Sequence, residues 1–371
     1  MPMTRIGLIA NPVSARDVRR VISHAAGLTL GERVGMLLRI LHTLAACGVD
    51  EVLLMPEREG LRAMLARQLH SRPVPRLRWL EMPVQANTGD STRAARLMQD
   101  EQVACIIVLG GDGTHRAVAK GCGNVPIVAI SSGTNNAFPP MREVTPTAFA
   151  AGLFATRAIP HAVALQPRKS LQVTRYTAGG EIIEQDLALV DVGILNERLL
   201  GARAIGRADT LRTVVVTQAS VESVGLSALV AMLEPLASDA PGGRILELSP
   251  PEGPGAPVRH HTIPCADGPP SEAPFQLQAA LAPGLLTSVT VLDLLTLDAG
   301  QPYVLRNQSG LLALDGEREM LFLPDERIEI ALKERAIQTL DVGAVLRHAA
   351  RHHLTVTPLT SMAAQPDPYP D

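Results

Sequence analysis

A glycine-rich turn in the first half of the chain has the residue types of a phosphate-binding loop. It consists of Gly110, Gly111, Asp112, Gly113 and Thr114. An apolar segment precedes it and a helical pattern follows, which places the turn at the carboxyl end of a strand, where parallel sheets bind ligands. Glycines let the backbone approach a phosphate and adopt positive φ, helix N-terminal amides attract anions, and Thr114 adds a hydroxyl donor. These features predict a polyphosphate site.

Asp112 does not fit a simple phosphate loop, because its carboxylate would repel a phosphate. The conflict disappears if Asp112 binds Mg²⁺ through water, or if it takes a proton from the attacking hydroxyl of a substrate. The alternative is a plain strand–turn–helix connection in which the aspartate caps the helix. The turn is neither a Walker A loop nor a GxGxxG dinucleotide fingerprint.

The turn resembles the GGDGT motif shared by the NAD kinases and the diacylglycerol and sphingosine lipid kinases. This resemblance implies ATP and Mg²⁺ as cofactors and phosphoryl transfer to a hydroxyl, which depends mainly on positioning and charge neutralisation. It also implies that Asp112 is catalytic and linked to Mg²⁺, and that the other residues of the turn bind the nucleotide.

Two further loops resemble nucleotide-binding segments of that superfamily. The segment from Asn11 to Ser14 is similar to an NPxSG loop that contacts nucleotide phosphates through its Asn and Ser, with Ala15 where glycine is usual. The loop after the next strand is similar to a GTGND segment of the nucleotide pocket, with Asn136 in place of aspartate. Its candidate residues are Ser132, Gly133, Thr134, Asn135 and Asn136. Taken alone, each segment is also an ordinary polar loop.

The acceptor side is represented by two short motifs. Asp315-Gly316-Glu317 resembles the DGE element of lipid kinases, where the glutamate is the proposed base, so Glu317 is a second catalytic candidate and Asp315 a substrate-side candidate. The alternative is an Asp-Gly type I′ hairpin turn. Asn196 and Glu197 resemble the Asn-Glu pair that holds the acceptor nucleotide in NAD kinases.

The combination of motifs is similar to the X protein branch of bacterial acetoin-catabolism clusters, which is NAD kinase-like. Segments 16–20 and 201–204 share this similarity. The resemblance covers most of the chain in separate pieces and implies a small-molecule acceptor, with NAD as the best candidate. A lipid or small-polyol acceptor and a non-catalytic nucleotide-binding regulator remain as alternatives.

The fold class expected is α/β plus β-rich: an N-terminal Rossmann-like parallel sheet and a C-terminal antiparallel β domain, as in NAD kinases. Strands are predicted at 6–10, 49–55, 77–82, 105–109 and 125–130, helices at 31–47, 57–69 and from Thr88 or Asp90 to 98, and later strands at 171–176, 187–195, 213–217, 289–292 and 320–323. The predicted domains are 1–155 for nucleotide, 156–335 for substrate, and a helix and tail at 336–371 that could return to the first domain.

Composition excludes several classes of protein. A net charge of −3 and 2% aromatic residues argue against nucleic-acid binding. The four cysteines have no CxxC spacing, which argues against a zinc ribbon. Without a signal peptide or an apolar run of ~18 residues, a cytoplasmic protein with no membrane span is expected. A homo-oligomer is compatible with these features.

Overall fold

The structure is a computed structural model that describes residues 3–10, 28–69, 72–132, 136–157, 159–196, 210–249, 261–263, 271–316 and 318–356. The helices are α1 (Leu30–Ala46), α2 (Leu61–Gln68), α3 (Thr88–Asp100), α4 (Asp112–Ala119), α5 (Val144–Thr156), α6 (His161–Ala164), α7 (Leu226–Ala231) and α8 (Val342–Arg351). The strands are β1 (Arg5–Ile9), β2 (Glu51–Leu54), β3 (Arg76–Trp79), β4 (Ile106–Gly110), β5 (Ile127–Ser131), β6 (Leu165–Tyr176), β7 (Ile182–Ala188), β8 (Asp191–Leu195), β9 (Leu211–Val216), β10 (Gly243–Ser249), β11 (His261–Ile263), β12 (Ser271–Ala273), β13 (Phe275–Ala282), β14 (Leu285–Leu297), β15 (Tyr303–Leu305), β16 (Gly310–Leu314), β17 (Arg318–Phe322) and β18 (Arg327–Leu340).

The first sheet contains the five parallel strands that the sequence predicts, in the order β3-β2-β1-β4-β5. Strand β4 is buried along its whole length, as expected for a parallel strand covered on both faces. The sheet continues through β18, β6 and β7, and β6 is antiparallel to both of its neighbours. The first sheet is therefore mixed and extends past residue 155, while the proposed domain boundaries stay a prediction.

The second sheet is antiparallel, in the order β13-β14-β10-β9-β8-β16-β17, which confirms the β-rich half of the predicted fold class. The two sheets share one buried cluster, in which Leu171 and Val173 of the first sheet join Val192, Ile194 and Leu312 of the second. Burying apolar side chains between two faces is the main stabilising contribution to such a pair of sheets. This packing holds the second sheet against the first.

Helices on the first sheet follow ordinary capping chemistry. Helix α1 begins with a capping box in which Thr29 and Glu32 exchange hydrogen bonds. The cap of α3 is Asn87, rather than the predicted Thr88 or Asp90. The Asn87 side chain accepts a hydrogen bond from Gly89 N–H, and the Asp90 carboxylate accepts one from Asn87 N–H. Among the described residues, no helix is long and apolar enough to cross a membrane.

Two elements show where the sequence prediction departs from the structure, and the final helix is one that the sequence analysis predicts. The predicted strand at 187–195 is divided between the end of β7 and the whole of β8. Helix α5 is not predicted, because apolar residues lie on all its sides and give no amphipathic period. The final helix, α8, begins at its cap Asp341 and contributes Val345 and Ala349 to the core shared with α1 and α5.

Candidate functional site

The glycine-rich turn joins the buried strand β4 directly to helix α4. Gly111 is the N-cap, with extended backbone at φ −91° and ψ −173°. None of Gly110, Gly111 and Gly113 adopts the positive φ that glycine allows. Gly110 instead allows close packing, since a Cβ there would lie 2.5 Å from Thr114 Cβ. Thr114 is itself only 3% exposed, so the turn is a tight contact between the strand and the first turn of the helix.

Asp112 is the first residue of α4, and its carboxylate crosses to the loop after β5. Its Oδ2 accepts from Ala137 N–H at 3.0 Å, and its Oδ1 accepts from Phe138 N–H at 2.9 Å. The reading of Asp112 as a simple helix cap does not hold, because the N-cap is Gly111 and no side chain caps this helix. The carboxylate is thus fixed in one orientation at the helix N-terminus.

The loop after β5 lies against the glycine-rich turn. Ser132 N–H donates to Gly110 O at 3.1 Å, and Asn136 Nδ2 donates to Ser131 Oγ at 2.7 Å. The structure therefore brings together four residues predicted from two separate motifs: Gly110, Asp112, Ser132 and Asn136.

His115 is a residue of the site that the sequence analysis missed. It is fully buried, and its Nδ1 lies 2.8 Å from Gly111 O. A carbonyl oxygen only accepts, so Nδ1 carries the hydrogen. Burial lowers the pKa of His115 to about 4, against a smaller opposing effect of backbone hydrogen bonds, and the ring is therefore neutral at physiological pH. Its ring centroid is 5.6 Å from that of Phe138, so His115 supports both the turn and the neighbouring loop.

Arg116 connects α4 to the second sheet. The side chain is buried, and Nη1 donates to Leu314 O at 3.0 Å. Leu314 ends β16 immediately before the predicted Asp-Gly turn. Because Arg116 follows Asp112 by one helical turn, a single short helix holds the glycine-rich turn and the second-sheet hairpin in a fixed relation.

Asp315 and Gly316 form the hairpin turn between β16 and β17. Their φ angles are +49° and +65°, the combination that a type I′ turn requires. The Asp315 carboxylate is buried and accepts from the N–H groups of Leu189 (2.9 Å), Val190 (2.8 Å) and Asp191 (3.2 Å).

Burial raises the pKa of Asp315, whereas the Arg116 charge and the backbone N–H donors oppose this effect. The carboxylate therefore binds the hairpin to residues 189–191, where the chain passes from β7 to β8. Direct contact between Asp315 and a substrate stays a prediction, and this geometry assigns it a supporting position.

A second link to the loop after β5 comes from a segment beside the second sheet. Gln218 Nε2 donates to Ala137 O at 2.8 Å, and Arg168 Nη2 donates to Gln218 Oε1. The Arg168 guanidinium also lies 4.9 Å from the centre of the Phe138 ring. The loop after β5 is therefore held by Asp112 and also by Gln218 and Arg168.

Asn196 lies apart from this cluster. It is exposed at the end of β8, whose pairing with β16 sets Leu195 opposite Leu311 and Val192 opposite Leu314. Asp315 lies opposite Asp191, so Asn196 is at the far end of the hairpin from it, about 17 Å away at ~3.4 Å per residue. The remaining predicted site residues lie outside the described part of the chain: Asn11, Ser14, Gly133, Thr134, Asn135, Glu197 and Glu317.

Comparison with known proteins agrees with this architecture. Residues 6–157 match the ATP-NAD kinase N-terminal domain, and residues 169–335 match the acetoin catabolism protein X C-terminal domain. The fold is that of an NAD kinase-like protein.

Acetoin catabolism protein X of Cupriavidus necator is 47% identical to this chain over 354 residues, covering 94% of this chain and 93% of the relative. The chain belongs to the acetoin catabolism protein X family, which confirms the resemblance predicted from its motifs.

Two solved structures are similar at lower sequence identity. Yeast NADH kinase complexed with NADH gives a TM-score of 0.47 at 11% identity, covering 100% of this chain and 91% of that chain. A Bacillus anthracis str. Sterne protein provisionally assigned as a diacylglycerol kinase gives 0.43 at 13% identity, covering 91% and 97%.

Proposed function

We propose that this protein transfers a phosphoryl group from ATP to a hydroxyl of a small molecule, with NAD as the best candidate and NADP as its product. The observation that supports this most is the placement of Asp112: a carboxylate at the N-terminus of α4, held by the amides of Ala137 and Phe138. Helix N-terminal amides stabilise phosphate, and an oriented carboxylate beside them can receive a proton or position Mg²⁺ through water.

The predicted roles divide between nucleotide and acceptor. The residues proposed to hold ATP are Asn11, Ser14, Gly110, Gly111, Gly113, Thr114, Ser132, Gly133, Thr134, Asn135 and Asn136. Asp112 or Glu317 would take the proton of the accepting hydroxyl, and Asn196, Glu197 and Asp315 lie on the acceptor side.

Magnesium fits this set as a partner of the nucleotide. In the described part of the chain no three His, Cys, Asp or Glu side chains cluster as a metal cage. Mg²⁺ is commonly bound by one or two carboxylates together with substrate phosphates and waters. Asp112 at a phosphate-binding turn has the chemistry for that arrangement, in which the ion would neutralise charge on the triphosphate.

A lipid or small polyol is the second candidate acceptor. It is favoured by the Arg116–Leu314 contact, which holds the Asp315-Gly316 turn beside α4. In the sequence, Glu317 follows that turn directly and matches the proposed base in the lipid kinases' DGE element.

The test is product formation from ATP and Mg²⁺ with NAD, with glycerol, or with diacylglycerol in detergent micelles. NADP is measured with an NADP-specific dehydrogenase, and the other products by transfer of labelled phosphate. With NAD we expect NADP, and we expect Asp112→Asn to lower the rate about 100-fold or more. The control is Asp325→Asn, at an exposed aspartate, which should leave the rate unchanged.

Each outcome selects among the candidates. Product with glycerol or diacylglycerol but not with NAD would replace the NAD assignment with the lipid or polyol one. Calorimetric binding of ATP without product from any acceptor would identify a nucleotide-binding regulator. Full activity in Asp112→Asn would remove Asp112 from the chemistry.

A further inference from the structure

An open cavity of about 400 Å³ lies away from the glycine-rich turn. The carboxyl-terminal half of α3 and the end of α4 contribute to it, together with residues of the neighbouring strands β6, β7 and β18. The polar side chains that line it include Arg96, Lys120, Lys333, Asp186, Ser170 and Gln172. Its size falls in the range of small-molecule sites, about 300–1,000 Å³.

Positive charge is concentrated in this cavity. The chain contains only three lysines, and two of them, Lys120 and Lys333, line it. Arg96 adds a third cation and Asp186 is the one acid among the lining residues, although the whole chain carries a net charge of −3. The third lysine, Lys169, is buried elsewhere and donates to two backbone carbonyl groups.

The cations differ in how they are held. Lys120 forms an ion pair with the buried Asp186. Arg96 and Lys333 are exposed, and within the described residues neither has an ion-pair partner. In the described part of the chain, two positive charges therefore face the cavity without an ion-pair partner. An exposed guanidinium is well suited to bind a phosphate with two parallel hydrogen bonds.

Close packing brings these groups together. Gly121 follows Lys120, and a Cβ at Gly121 would lie 2.3 Å from Thr92 O and 3.2 Å from Arg96 Cγ. The end of α4 therefore rests directly on α3. On the sheet, Lys333 pairs with Ser170, and alternation along β6 places Gln172 on the same face. The polar lining is thus set by backbone contacts.

We propose that this cavity binds a small phosphate monoester that carries hydroxyl groups. Arg96 and Lys333 would contact the phosphate, Lys120 would add a third positive charge, and Ser170 and Gln172 would hydrogen-bond the hydroxyls. The site is separate from the proposed kinase site, because Lys120 lies eight residues beyond Asp112, about 12 Å along the helix at ~1.5 Å per residue.

The small number of lysines makes a footprinting experiment direct. The full chain is treated briefly with an amine-acetylating reagent, and modification of each lysine is measured by mass spectrometry. Glycerol 3-phosphate should protect Lys333 and Lys120 several-fold, whereas glycerol with sodium chloride at equal ionic strength should not. Equal protection by salt would mean charge screening only and would overturn the proposal.

Calorimetry with the same probe locates the site. The double variant Arg96→Ala, Lys333→Ala should weaken glycerol 3-phosphate binding about tenfold or more, as expected for lost charged hydrogen bonds. Arg67→Ala, at an exposed arginine on α2, is the matched control. Unchanged affinity in the double variant would place the anion elsewhere. Inorganic phosphate binding as tightly as glycerol 3-phosphate would refute the role of Ser170 and Gln172.

Discussion

Replacing Asp315 with Asn tests whether a buried carboxylate fastens the hairpin beside α4. Asparagine has nearly the same shape and tolerates the left-handed backbone at φ +49°. The change therefore removes charge and one acceptor atom while leaving the type I′ turn possible. Three backbone N–H groups, those of residues 189, 190 and 191, lose a charged acceptor.

The expected cost follows from these contacts. A hydrogen bond to a charged group contributes about 1.5–3 kcal/mol and a neutral one about 0.5–1.5 kcal/mol, so three bonds lose roughly 3 kcal/mol. The variant amide would also direct an N–H toward the Leu189 N–H. Relief of charge burial, which is the main cause of the raised pKa of Asp315, offsets part of this loss. The net prediction is a destabilisation of about 2 kcal/mol.

Urea denaturation at pH 7.5, followed by circular dichroism, measures this free energy of unfolding. Asp325→Asn, at an exposed loop position, serves as the control and should shift it by less than about 0.5 kcal/mol. A variant as stable as the parent, or more stable, would refute the reasoning. It would show that the free-energy cost of burying the Asp315 charge exceeds the stabilisation from its three N–H hydrogen bonds.

Two further predictions concern the turn itself. Since burial lowers the pKa of His115 to about 4 from 6.5, its contribution to stability is complete above pH 6.5 and is lost as pH falls toward 4. Between pH 7.5 and 5 the free energy of unfolding should drop by about 2 kcal/mol, and His115→Gln should remove this part of the slope; a slope identical in both proteins would contradict the assignment. Gly110→Ala places a Cβ 2.5 Å from Thr114 Cβ, and in the same urea assay it should destabilise the folded protein by about 1–3 kcal/mol. Gly35→Ala inside α1 adds a Cβ that meets nothing within 4 Å, so it should stabilise the folded protein by about 0.5–1 kcal/mol. Equal effects of the two alanines would rule out the packing explanation.

Local signals made much of the site predictable. The apolar run before Gly110 and the helical pattern after Asp112 define β4, the turn and α4 from neighbouring residues alone. Asp315-Gly316 is likewise a local signal, and the type I′ turn is present. The fold class follows from the same alternation of strands and helices.

Contacts between distant segments were not predictable. Nothing near Asp112 indicates that its carboxylate meets the amides of residues 137 and 138, and nothing near Asp315 indicates residues 189–191. The buried ring of His115 and the reach of Arg116 to Leu314 depend on how α4 packs. The roles of both residues were therefore missing from the sequence analysis, although the motif beside them was found.

The membership of β18 in the first sheet has a consequence for biosynthesis. Its residue Thr339 pairs with Ile127, and along most of its length it pairs with β6. A ribosome must therefore translate the chain as far as β18, at Arg327–Leu340, before β5 and β6 receive the strand that lies between them. Until then, each nascent molecule presents two open strand edges, which are surfaces prone to aggregation. The glycine-rich turn can form early, but the sheet that carries it is completed only after β18 has been synthesised.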